Sequence, residues 1–140
     1  MKLKFVYSKS FELTRVKDTL KRHDWFMSQG YNIKLPEGIT KDSTDKELRA
    51  QIKKEYNEGK FQKEVVKISK KFSKYAEVFS NKLKEVFKKG VPKTVTVYLT
   101  IYGVGGSYLQ PAKVIFNIAH NYDGAKTIAH EIIHLMIEDS

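Results

Sequence analysis

His130 and His134 stand four residues apart near the end of the sequence, and Glu131 directly follows the first of them. On a helix that spacing places both imidazoles on one face, one turn apart. Two neutral imidazoles so placed can share one zinc ion, each nitrogen about 2.0–2.1 Å from it. The ion acts as a Lewis acid and lowers the pKa of a bound water toward about 7. A carboxylate beside it, here Glu131, can take the proton as hydroxide attacks a carbonyl carbon, then return it to the leaving amine. These residues point to hydrolysis of peptide bonds with Zn2+ as cofactor, His130 and His134 as ligands and Glu131 as general base.

The surrounding residues favour that reading over chance. Asp123 can cap a helix beginning near Gly124 or Ala125. Within it the two histidines are set among Ile128, Ala129, Ile132, Ile133, Leu135, Met136 and Ile137. Burying two His and a Glu there carries a desolvation cost unless a metal or hydrogen-bond partners offset it. The competing reading is two core histidines satisfied by hydrogen bonds.

The stretch Thr127-Ile-Ala-His-Glu-Ile-Ile-His-Leu-Met136 resembles the extended zinc-binding consensus of the zincin metallopeptidases, including a Thr three positions before the first His. The preceding order of helix, strand, Gly-rich connection and strand is similar to a small zincin core. The resemblance implies an α/β fold in which an edge strand above the cleft pairs with an extended peptide or protein substrate. The segment Val114, Ile115, Phe116, Asn117 and Ile118 is the expected edge strand. The resemblance covers residues 94–140, whereas residues 1–93 add only compatible helices. The metzincin branch is excluded, because its Gly and third His would fall at Ile137 and Ser140. A gluzincin-like or other non-metzincin branch remains, with its third ligand farther downstream.

Only six residues follow His134. The chain is therefore expected to be the N-terminal portion of a longer catalytic domain, holding zinc weakly and lacking activity by itself, with an apolar patch around Ile133, Met136 and Ile137. His120 and Tyr122 are the local candidates for a third ligand or an oxyanion donor, with Asn117 a further donor candidate. Glu138 lies another turn along, but three ligands from successive turns of one straight helix do not converge on a tetrahedral ion. His23, beside Asp24, reads as a surface residue.

The elements that must position these residues are legible from periodicity. Lys2 to Tyr7 reads as a strand, Leu13, Val16 and Leu20 as a helix reaching toward Gly30, and Tyr31 to Ile39 as extended. Thr44 and Glu47 form a capping box for a helix through Leu48, Ile52 and Tyr56, ended by Gly59. One long helix is expected from Phe61 through Ile68, Phe72 and Phe79 to Val86, stopped by Gly90 and Pro92. Thr94–Tyr102 alternates as a strand, Gly103–Gly106 turns the chain and Val114–Ile118 is a second strand, giving a hairpin or wide connection. The expected class is α+β (mixed α/β) in a single zincin-like domain over residues 1–140. Residues 1–93 are mainly helical, and a small twisted sheet precedes the active-site helix.

The sequence has no cysteine, so disulfides and thiolate zinc sites are excluded. No signal or membrane-spanning stretch is evident, and a cytoplasmic location is expected. The net charge of +10 is uneven: residues 41–93 carry sixteen basic and eight acidic groups, residues 94–140 two and four. The alternative function is therefore a basic nucleic-acid-binding or interaction protein with a non-catalytic HExxH helix. Lys-rich helices also simply solvate their outer faces, so charge alone does not select the partner.

Overall fold

In the computed structural model, which describes residues 1–120 and 122–138, the alternating run after Pro92 forms β2 (Thr94–Thr100). It is flanked by β1 (Lys2–Val6) and β4 (Lys113–Asn117), both parallel to it, with Leu3 opposite Val95 and Val97 opposite Val114. A short strand, β3 (Gly106–Leu109), runs antiparallel to β4, giving the order β1-β2-β4-β3. Around the sheet lie α1 (Lys9–Lys21), α2 (His23–Ser28), α3 (Asp45–Glu55), α4 (Glu58–Ser73), α5 (Ala76–Phe87) and α6 (Gly124–Glu138). The architecture is mixed α/β, as the patterning implies.

The period of two in β2 decides which side chains go to which face. Val95, Val97 and Leu99 point to the side of α4, α5 and α6, where they join Val114, Phe116, Ile128 and Ile132 in the larger core cluster. Tyr98 points the other way and stacks on Phe11 of α1, ring centroids 4.8 Å apart. On that side α1 and α3 close over the chain with Val16, Leu48 and Ile52. Helices thus cover both faces, so β4 is buried along nearly its whole length, the pattern of an internal strand in a mainly parallel sheet.

Two expectations need correction. Gly59 does not end α3. That helix stops at Glu55, and Gly59 lies in the first turn of α4. The single helix over Phe61–Val86 is two helices, broken at Lys74 and Tyr75. Unbroken, it would run about 39 Å, far past the roughly 23 Å of a seven-residue strand. The break redirects the chain into α5 and gathers Phe72, Tyr75 and Phe79 into one aromatic cluster, leaving Val86 exposed. Of the two connections open after β2, the wide one forms: β2 and the Val114 strand are parallel neighbours, and β3–β4 is a hairpin.

The start of α6 is fixed as the sequence implies. Lys126 N–H donates to the Asp123 carboxylate, and Thr127 N–H donates to the Asp123 carbonyl. A Cβ on Gly124 would lie 2.8 Å from Ile68, so the glycine lets α6 close onto α4. Among the described residues, no helix is long and apolar enough to cross a membrane.

Candidate functional site

Ala125, Ile128, Ile132 and Leu135 bury one face of α6, which turns His130 and His134 outward. Their Nε2 atoms approach to 3.0 Å, and their rings meet nearly edge to face at 80°. One ring donates to the other when the two imidazoles carry their protons on different nitrogens. The same geometry suits a shared ion, because two ligands about 2.0–2.1 Å from a tetrahedral zinc stand about 3.3 Å apart. The pair therefore fits two adjacent corners of a zinc shell.

Glu131 lies on the side of α6 that faces β3, with only 9% of its surface exposed. Burial raises its pKa, and the neighbouring His130 and His134 partly counter the rise. Its position depends on the glycine opposite. A Cβ on Gly106 would come within 3.2 Å of the Glu131 carboxylate and 3.1 Å of Thr127 Cγ2.

The edge-strand assignment is corrected by the topology. Val114 to Ile118 cannot offer a free edge, because β2 bonds one side of β4 and β3 the other. The edge is β3. Asn117 N–H donates to the Gly105 carbonyl at 3.0 Å, so bonded pairs with β4 fall at residues 105, 107 and 109. By the same alternation, the backbone N–H and C=O of Gly106 and Tyr108 point to the open side, beside α6.

The other candidates separate. Asn117 is fully buried and its amide is used structurally: Nδ2 donates to the Gly103 carbonyl, and Oδ1 accepts from Ala119 N–H. It is not an oxyanion donor. His120 is buried with its ring stacked on Tyr122, centroids 5.2 Å apart, and among the described residues its Nε2 has no hydrogen-bond partner. Tyr122 is exposed and its ring covers Gly105, where a Cβ would sit 2.3 Å from it. Among the described residues, no third His or acidic side chain joins His130 and His134 in a group able to hold a metal. Met136 is buried, so the exposed apolar residues on α6 are Ile133 and Ile137. Ser140 falls outside the described residues.

No family model, curated protein or solved structure matches this chain.

The geometry also contains a site residue that the sequence reading passed over. Tyr108 of β3 lies flat on His134, with centroids 5.3 Å apart and 4° between planes. Its hydroxyl donates to Glu138 at 2.7 Å, which raises the phenol pKa. The phenol is thus held at both ends, and it limits how the His134 ring can turn. Only the alternation of a four-residue segment after two glycines could have signalled it.

Proposed function

We propose that this chain carries the two-histidine and general-base part of a zinc-dependent peptidase site. The observation that carries the reading is the 3.0 Å approach of His130 and His134 Nε2 on the outward face of a helix whose buried side holds Glu131. When bound, zinc supplies Lewis acidity and an acidified water. His130 and His134 would hold it. Glu131, poorly hydrated and raised in pKa, would accept a proton from a water on its histidine side and donate it to a leaving amine. An extended peptide laid along β3 would bond to the open N–H and C=O of Gly106 and Tyr108, which would set its scissile carbonyl beside α6.

Titration with Co2+, a spectroscopic stand-in for zinc, tests the reading. One ion per chain is expected to bind, displaceable by Zn2+, and the two-ligand shell should make the affinity modest. His130→Ala and His134→Ala should each weaken binding more than the roughly 10–100-fold typical of losing an outer-shell partner. Equal binding in the double variant would remove the site.

Tyr108 gives a second expectation. Tyr108→Leu abolishes the ring stack and the bond to Glu138, and is expected to weaken Co2+ binding by about tenfold, the lower range for outer-shell partners. Tyr108→Phe retains the stack and should lose less. Isothermal titration of the three proteins checks the order; identical affinities would make the stack irrelevant to the pair.

A further inference from the structure

Outside the α6 site, the most one-sided feature of the molecule is the outer surface of α4. At 100° per residue, Lys60, Lys63, Lys67, Lys70 and Lys71 of α4 and its C-cap Lys74, whose backbone is still helical, fall within an arc of about 100°. All six are exposed, on the side away from Phe61, Ile68 and Phe72, which are buried in the core. Lys71 pairs with Asp123 at the start of α6, and among the described residues the other five form no ion pair.

Elsewhere in the chain the outer helix faces mix their charges. On α1, Arg22 pairs with Asp18 four residues back; on α5, Lys82 pairs with Glu85. On α4 the charged neighbours at three and four residues are mostly other lysines: 60 with 63, 63 with 67, 67 with 70 and 71, 70 with 74, with Glu64 at that spacing only from Lys60 and Lys67. Like charges at those spacings cost a few tenths of a kcal/mol each, so the stripe opposes the helix that carries it. A polyanion laid along it would relieve that repulsion.

We propose that the lysine face of α4 binds the phosphate backbone of nucleic acid, independently of the site on α6. The stripe is about 21 Å long, the axial rise of about six base pairs at 3.4 Å each. It is one side chain wide, and Glu64 stands beside it. That shape suits a linear polyanion better than the plane of a membrane, and the apolar face that could insert into lipid is already in the core. Lysines with no interleaved aromatic residue predict backbone contact without base readout.

The test is fluorescence anisotropy with a labelled mixed-sequence DNA duplex over 50–200 mM salt. Five phosphate contacts give a slope of log K on log salt of about −4.5, a loss of about 500-fold over that range. The triple variant Lys63→Gln, Lys67→Gln, Lys70→Gln should flatten the slope to about −1.8. A control triple on other elements, Lys21→Gln, Lys46→Gln, Lys113→Gln, has the same net charge and should keep nearly the full slope. Circular dichroism verifies that both fold, and Lys67→Gln alone should flatten the slope by about 0.9. Equal flattening in the two triples would mean diffuse charge and overturn the proposal. So would absence of binding at 50 mM salt, or binding only to phosphatidylserine-containing vesicles.

Discussion

Once its zinc shell is completed by a further ligand, the protein is expected to lose about 10²- to 10⁴-fold of its peptide hydrolysis on Glu131→Gln, the usual contribution of a positioned acid–base group, with Co2+ uptake unchanged. The amide keeps the shape and removes the basicity. The same substitution should also make the metal-free protein more stable at pH 8. Burial raises the Glu131 pKa, so above the ordinary carboxylate range the folded chain must hold an ionised group where ionisation is disfavoured. The stability linked to this proton is complete below the unfolded pKa and disappears as pH rises through the raised folded value. A neutral Gln avoids that loss. Activity falling while stability rises is the sign of a group kept for chemistry, whereas a packing residue loses both. Turnover and urea denaturation measured on the same protein distinguish the two, and a variant with undiminished hydrolysis would remove Glu131 from its role.

What the sequence disclosed about the site was what a single helix can encode. The four-residue spacing of His130 and His134, the cap at Asp123 and the apolar face of Ile128, Ile132 and Leu135 are local, and the structure holds all three. The partner strand was not local. β3 is four residues long and starts at a glycine, so it offers almost no period-two signal, and its role as edge comes from pairing with β4. An apolar run such as Val114–Phe116 signals burial on both faces, which is the mark of a central strand. Reading it as an edge let the resemblance outweigh the pattern. The α4–α5 break was hidden for a related reason. Apolar spacing continues through Tyr75, and only the limited length of the sheet face requires the chain to turn there.

A buried carboxylate far from α6 in sequence carries the other large effect. Glu12 of α1 is 1% exposed, and burial pushes its pKa up to about 7; hydrogen bonds from Thr100 and Ile101, and the charge of Arg15, only partly oppose this. Arg15 is not paired with it through hydrogen bonds. The guanidinium instead donates to the carbonyls of Tyr102 and Val104, and lies so close to Gly103 that a Cβ there would sit 2.6 Å from Nε. Glu12 and Arg15 thus anchor successive parts of the connection leading from β2 to Gly105 and Gly106. With a folded value near 7 and an unfolded value of 4.5, the folded chain binds one extra proton between them. Stability from this group is fully present below about pH 4.5 and is lost as pH rises through 7, by about 2–3 kcal/mol between pH 5 and pH 8. Glu12→Gln, with an oxygen still able to accept from Ile101 N–H, should be nearly free of that decline. Urea unfolding of both proteins at pH 5, 6, 7 and 8 is the measurement. A difference between them that stays constant across the range would mean that Glu12 is already ionised in the folded state and balanced by Arg15. A difference that grows with pH would mean that the connection feeding the edge strand is held by a neutral acid and loosens as that acid ionises.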